Sequence, residues 1–247
     1  MTGAGRRIDS IHLMCSGLAI FDLDGTLVDP AGAITGGIAD ALRAHDLPVP
    51  DDEQLRGLVG PPLAEGLAAL PGVTEDVVPS LMAHYREGYR DHGMAASRVY
   101  PGIRELLGSL RDEGLSLAVA TSKPEPLAHL LLDIQQLASC FDIIAGSDPD
   151  DMAPHPGKDR IIASALERLS VPIDAEGRPD PGTKVVMIGD RRFDVEGASR
   201  LGIPCIGVGW GYAPDGELVQ AGAVTVVDGA ERLGDEIRRR LGYVPAV

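Results

Sequence analysis

Six short, largely apolar runs punctuate this chain: Leu18–Phe21, Leu117–Ala120, Ile143–Ala145, Val185–Ile188, Ile203–Val208 and Val224–Val227. None is long enough to be a buried helix, and none alternates polar with apolar residues. Runs of this kind fit strands that are covered on both faces. Between them, apolar residues recur at helical spacing. Leu106, Leu107 and Leu110 form one stripe, and Leu127, Leu130, Leu131 and Ile134 a second. Ile161, Ile162, Ala165, Leu166 and Leu169 form a third. Parallel neighbours need a crossover, and a helix supplies it while burying one face of the sheet. The alternation therefore predicts an α/β fold with a doubly wound, mainly parallel sheet.

One stretch, residues 29–98, breaks the alternation. Ile34, Ile38 and Leu42 recur at i, i+4 and i+8, and the region from Thr74 to His92 also reads helical. Gly60-Pro61-Pro62 punctuates it, because proline cannot continue a helix and glycine permits unusual dihedrals. Val99-Tyr100-Pro101-Gly102 returns the chain to the sheet. The expected organisation is a discontinuous core, 1–28 and 99–247, with a helical cap of residues 29–98 inserted after the first strand. Ser170–Thr183, rich in proline, glycine and charge, is expected to be a surface loop.

Arg6-Arg7 precedes an apolar stretch from Ile11 to Phe21, but His12, Ser16 and Gly17 interrupt it and it ends in Asp22-Leu23-Asp24. That pattern does not suit an export signal, so the first dozen or so residues are expected to be a loosely ordered leader. No run approaches the length of a membrane span.

The 247 residues include 22 basic and 37 acidic side chains, a net charge of −15. Such a surface repels nucleic-acid backbones and anionic lipid, so neither is an expected partner. Any anionic substrate must then be drawn by a local cation or a metal. Cys15, Cys140 and Cys205 are scattered, with no Cys-x-x-Cys pair. They suggest small buried side chains in a reducing cytoplasm, not a zinc site or a disulfide framework.

Ligands of open α/β sheets bind beyond the carboxyl ends of the strands. Asp22 and Asp24 follow the first strand, Thr121, Ser122 and Lys123 the second, and Asp190, Arg191 and Asp194 the fourth. Lys158 heads the third helical stripe. Asp22 and Asp24 are two apart, so in extended chain they point the same way, and they repel unless a cation bridges them or one holds a proton. Asp190 adds a third carboxylate. Oxygen donors without cysteine or histidine suit Mg²⁺ better than zinc. Lys158 and the Thr121 hydroxyl would balance the carboxylates and hold the oxygens of a phosphoryl group. Taken singly, each has an ordinary explanation: a solvated turn, a helix N-cap, a surface lysine. Four such features in this order, each at a strand end or helix start, ask for a common cause.

Phe-Asp-Leu-Asp-Gly-Thr-Leu-Val-Asp at 21–29 resembles the first motif of the haloacid dehalogenase-like (HAD) superfamily. Ala-Thr-Ser-Lys-Pro at 120–124 resembles its second motif, Lys158 its third, and Gly-Asp-Arg-Arg-Phe-Asp at 189–194 its fourth. The resemblance runs from about Leu18 to the C-terminal helix. Tyr-Pro-Gly at 100–102 and Gly-Val-Gly-Trp-Gly-Tyr at 207–212 are similar to the phosphoglycolate phosphatase-like branch. It implies a HAD-like Rossmannoid core and an Mg²⁺-dependent phosphatase acting on a small phosphorylated metabolite. Asp22 would be the nucleophile and form an aspartyl-phosphate, with Asp24 the acid and base. Asp22, the Asp24 backbone carbonyl and Asp190 would hold Mg²⁺. Thr121, Ser122 and Lys158 would bind the phosphoryl group, and Asp194 would orient Lys158 or the metal's water shell.

One departure concerns the third motif. Many members place its lysine directly before a proline, whereas this chain reads Ala153-Pro154-His155-Pro156 there, with Lys158 the nearest lysine. Alternatives are a nucleotide 5′-phosphate or a phosphoprotein as substrate, a phosphomutase, and a non-catalytic regulatory module. Dehalogenation has no need of the acid and base that Asp24 supplies. Arg43, Arg56, Arg86 and Arg90 are the cap candidates for substrate contact, while His84 and His92 read as packing or solvated residues. Pro156-Gly157-Lys158 lacks the upstream glycine of a phosphate-binding P-loop, and no Gly-x-Ser-x-Gly elbow is present.

Overall fold

The structure, a computed structural model, describes residues 17–30, 32–60, 63–148 and 157–243. The leader, Cys15, Pro61-Pro62 and Ala153–Pro156 lie outside them. Six parallel strands form the main sheet: β1 (Leu18–Phe21), β4 (Ser116–Pro124), β5 (Ile143–Ser147), β6 (Val185–Gly189), β7 (Cys205–Val208) and β8 (Thr225–Val227). Their spatial order is β5-β4-β1-β6-β7-β8. Each of the six apolar runs thus lies in or over a strand. Alternate residues of β1 explain why its run is continuous. Ala19 and Phe21 enter one core and Leu18 and Ile20 the other, and all four are buried. Burial of a large apolar side chain contributes about 1.5–3 kcal/mol, which favours such a central strand over any exposed register.

Helices cover both faces. On one lie α6 (Ile103–Asp112), α7 (Glu125–Ile134) and α11 (Ala230–Leu241), which share a core with Ala19 and Phe21. On the other lie α8 (Lys158–Arg168), α9 (Arg192–Arg200) and the short α10 (Glu217–Ala221). The stripe expected on α7 is corrected by the packing. Ala128, Leu131 and Leu132 are its buried residues, whereas Leu130 and Ile134 are 39% and 44% exposed. The helix is apolar nearly all round, so periodicity alone could not select the packed face.

Residues 29–98 begin and end in a two-stranded antiparallel ribbon, β2 (Val28–Asp29) against β3 (Arg98–Val99). The chain therefore leaves the core and returns to it side by side. Two-residue strands are too short to leave a pattern in sequence. Between them run α1 (Ala33–Ala44), α2 (Asp52–Gly57), α3 (Leu63–Ala68), α4 (Val78–Gly88) and α5 (Met94–Ala96). Ile34, Ile38 and Leu42 form the buried face of α1, and Leu81, Met82 and Tyr85 that of α4. A widened π-type turn over Tyr89–Gly93 continues α4, a departure from regular helix often found at functional sites. Residues 170–183 form the expected loop, closed by a bridge between Ile173 and Pro179. Among the described residues no helix is long and apolar enough to cross a membrane.

Candidate active site

The chain passes from β1 to β4 and β5 on one side, then crosses to β6, so the strand order reverses beside β1. Crevices form at such reversals because successive connections diverge to opposite faces. Asp22 leaves the end of β1, its backbone N–H donating to the Ile188 carbonyl at 2.9 Å. Thr121, Ser122 and Lys123 belong to β4, whose register against β5 shifts between Ala120 and Pro124. Asp190 and Asp194 follow β6, and Lys158 is the first residue of α8.

Lys158 Nζ lies 2.6 Å from Asp22 Oδ1 and 2.7 Å from Asp194 Oδ1, all three side chains being nearly fully buried. Burial opposes the lysine's charge, but the Asp194 and Asp22 carboxylates outweigh it and raise its pKa. Asp194 also accepts the Arg191 backbone N–H at 3.1 Å. Burial pushes the Asp194 carboxyl up to about 6, against the pull of Lys158 and with the Asp22 charge adding to the rise. Asp190 is fully buried. It accepts the Thr26 hydroxyl at 3.2 Å and the Tyr212 backbone N–H at 2.8 Å. Burial, then the Asp22 and Asp194 charges, push its carboxyl well up. One carboxylate oxygen from each of Asp22, Asp190 and Asp194 lies within 4.8 Å of the others. Among the described residues this is the one cluster of three groups that could share a metal ion.

Two glycines make room for Asp190. Gly25 has φ +87°, and a Cβ there would fall 2.2 Å from Asp190 Oδ2; one on Gly211 would fall 2.3 Å from the same oxygen. The Gly-rich segment at 207–212 thus serves the site by letting backbone close on a carboxylate. Trp210 Nε1 donates to the Thr26 carbonyl at 3.2 Å, tying that segment to the turn after β1.

Asp24 is held differently. Lys123 Nζ lies 2.9 Å from its Oδ2 and donates to the Tyr89 hydroxyl of the cap at 3.1 Å. Asp24 Oδ1 is buried with no hydrogen-bond partner. Burial raises the Asp24 carboxyl, Lys123 opposes the rise, and the neighbouring Asp22 adds to it. The sequence contained Lys123 within a motif but offered no sign of its partner. Tyr89 carried no signal at all, because the cap's contact with the core is tertiary.

A cavity of about 680 Å³, counting its part open to solvent, lies between the strand ends and the helices of residues 29–98. Asp22, Asp24, Thr121, Ser122 and Lys123 line it from the sheet side, and Val59, Met82, Tyr85, Arg86 and Tyr89 from residues 29–98. Lys158, Asp190 and Asp194 back Asp22 and do not line the cavity. The Thr121 hydroxyl accepts the Lys123 backbone N–H at 3.2 Å, a local turn that aims the strand end at the site. Arg191 spans the seam: its guanidinium donates to the Val59 carbonyl and pairs with Glu217 at 2.9 Å. Of the four cap arginines, only Arg86 lines the cavity. Arg43 pairs with Asp40 at 2.8 Å in solvent, and Arg56 and Arg90 are exposed. His84 is exposed beside His45, and His92 is exposed too, so both stand apart from the site. Cys205 is buried and Cys140 half-buried, with neither in a disulfide.

Fold and site together define an enzyme with an acidic centre at the carboxyl edge of a parallel sheet, covered by a helical segment. The sequence profile of the haloacid dehalogenase-like hydrolases matches residues 19–208, and the chain belongs to that family. It is 39% identical to the tyrosine-protein kinase PtkA of Mycobacterium tuberculosis, over 91% of this chain and 72% of that one. It is 38% identical to a 5′-nucleotidase of Pseudomonas aeruginosa, over 81% and 85%. Identity is 30% to a phosphoglycolate phosphatase of Rhodospirillum rubrum, over 92% and 96%. Among solved structures, a predicted phosphatase from Clostridium acetobutylicum superposes with a TM-score of 0.80 at 36% identity, covering 90% of this chain and 98% of the other. The chain is an enzyme, a phosphatase of the HAD-like family.

Proposed function

We propose that this enzyme hydrolyses a small, phosphoglycolate-like phosphomonoester in a magnesium-dependent reaction through an aspartyl-phosphate on Asp22. The observation that carries the reading is the unequal treatment of two neighbouring carboxylates. Asp22 is paired with a buried lysine, while Asp24 has a raised pKa and one bare oxygen. A carboxyl whose burial favours its protonated form, beside a carboxylate held by a lysine, divides acid from nucleophile.

With Oδ1 held by Lys158, Asp22 Oδ2 is left to attack phosphorus, and the bond to the leaving oxygen breaks as the new one forms. Asp24 gives its proton to that oxygen. It then takes one from a water molecule, which attacks the aspartyl-phosphate, releasing inorganic phosphate and restoring Asp22. Thr121 and Ser122 would hold the phosphoryl oxygens from the cavity wall, and Lys158, expected to join them, would act from behind Asp22 by balancing the charge that gathers there. Residues 29–98 serve as the cap that excludes bulk water, with Arg191 bonded to the Val59 carbonyl at the seam.

The donor set fits a hard divalent cation, since three buried carboxylates crowd one another and two have raised pKa values. Asp22, Asp190 and the Asp24 backbone carbonyl would hold it, while Asp194 orients Lys158. When bound, the ion supplies positive charge that neutralises the nucleophile and the phosphoryl oxygens. The unpaired cysteines suit a reducing, cytoplasmic setting.

The test is phosphate release from an aryl phosphate and from a panel of phosphometabolites, with and without Mg²⁺. Turnover that needs the ion and disappears in Asp22→Asn is expected. Full activity in that variant, or none with any divalent metal, would sink the reading. The 39% identity to a protein named a tyrosine-protein kinase favours a second one, phosphoryl transfer to a tyrosine side chain. Label from the γ-phosphate of ATP appearing on tyrosine, at a rate above phosphomonoester hydrolysis, would select it.

A further inference from the structure

The leaving group of a bound phosphomonoester must occupy the part of the cavity beyond Asp24, and the charges there are uneven. Lys123 is committed to Asp24 Oδ2 and the Tyr89 hydroxyl, with its ammonium 4.2 Å from the centre of the Tyr89 ring. Lys158 is committed to Asp22 and Asp194. Arg86, on α4, lines the cavity half-buried, and among the described residues no carboxylate lies within ion-pair distance of it. In a chain with 37 acidic residues and a net charge of −15, most arginines find a partner, as Arg43, Arg191 and Arg238 do. An unpaired guanidinium beside a cavity keeps its planar fork free for a pair of oxygens.

Its surroundings limit what those oxygens belong to. Ile34, Leu58, Leu63, Met82 and Leu127 line the same cavity. The Tyr85 and Tyr89 rings stack 5.6 Å apart beside them. A polyhydroxylated leaving group would find few partners for its hydroxyls on such walls, and unpaired polar groups are costly. A second phosphate carries nearly twice the charge of a carboxylate at neutral pH and would meet a single uncommitted cation. One carboxylate on a short apolar body matches one guanidinium among apolar side chains.

We propose that Arg86 is the specificity-determining residue, and that the substrate is a phosphorylated hydroxy acid whose carboxylate it receives. The inference rests on the phosphatase reading and goes beyond it by naming the group on the cap that selects the leaving part. Arg86 takes no part in bond breaking, so it governs the choice of substrate and leaves the chemistry to the core.

The experiment compares isosteric pairs that differ only in charge: phosphoglycolate against phosphoglycolamide, and 4-carboxyphenyl phosphate against 4-carbamoylphenyl phosphate. In the unaltered enzyme, kcat/KM favours the carboxylate in at least one pair by about tenfold or more, as a charge-assisted contact should. In Arg86→Met that preference falls to within about twofold, while kcat/KM for the amide stays within about threefold of the unaltered enzyme. Arg86→Lys restores part of the preference, which a merely structural role would not do. The proposal is overturned if neither pair shows a preference, if the preference survives in Arg86→Met, or if both members of the pair lose activity equally. Turnover of aryl phosphate without any charge preference would overturn this inference alone. Absence of turnover with every phosphomonoester would overturn the phosphatase reading and this inference with it.

Discussion

Lys158 Nζ stands 2.6 Å from Asp22 Oδ1, joining residues 136 apart in sequence through a nearly fully buried ion pair. The same ammonium meets Asp194 at 2.7 Å, so one lysine bridges a carboxylate that follows β1 and another in the first turn of α9. Two opposing charges support a buried lysine, and removing it strands both.

Lys158→Met should therefore cost about 3–5 kcal/mol of stability, the range for breaking a buried pair by deleting one partner. Urea denaturation measures it. Added Mg²⁺ should narrow the gap, since a cation among the carboxylates replaces part of the missing charge. Activity should fall by about 100-fold or more. A variant with unchanged stability and turnover would show that the pair carries neither role.

Asp24→Asn should separate the two halves of the reaction. A nitrophenolate leaves without protonation, so the first displacement survives, while water activation loses its base by about 10²- to 10⁴-fold. Stopped-flow kinetics should then show a burst of nitrophenolate near one equivalent of enzyme, followed by slow turnover. A uniform loss without a burst would place Asp24 in some other task.

Arg191→Met removes the guanidinium that bridges the Val59 carbonyl and Glu217. The Val59 carbonyl and the Glu217 carboxylate would each lose a partner, a local cost of about 1–3 kcal/mol. Hydrogen exchange should quicken over α2 and Val59, with little change in α6 and α11. Equal protection in the two proteins would mean that the cap is held by its apolar contacts alone.

Far from the site, Arg238 makes hydrogen bonds to both Glu113 oxygens, the shortest 2.6 Å. These bonds hold the Glu113 carboxyl below its ordinary value, with burial opposing them and the Ser109 hydroxyl assisting. A lowered folded pKa adds stability that is present above the unfolded value, about 4.3, and is lost as pH falls through the folded one. Glu113→Gln should cost about 1 kcal/mol or less at neutral pH, because the pair is part-exposed. The difference should shrink as pH falls below the unfolded value of about 4.3, and vanish only below the lowered folded one. Urea midpoints across that range would expose any other dependence.

The six strands and the positions of Asp22 and Asp190 directly after β1 and β6 were legible from residue types and spacing, whereas Thr121, expected just past the second strand, lies within the longer β4. Strands buried on both faces must be continuously apolar, and polar residues that interrupt such runs mark their ends. The same logic failed on α7, where Leu130 and Ile134 face outward, because an almost uniformly apolar helix has no period to read.

What the chain could state locally was the identity of the acidic groups and the strand each follows. Only the tertiary structure decided their company. Lys123 bonds to Asp24 because β4 runs on past the end of β1 and carries it to the turn that follows β1, and Tyr89 meets Lys123 from the widened turn that continues α4. Arg86 is distinguished from Arg43, Arg56 and Arg90 by the face of the cap on which it falls. Sequence records which charges exist, but the energy of a charge depends on burial and on its neighbours, and both are set by packing between segments distant in the chain.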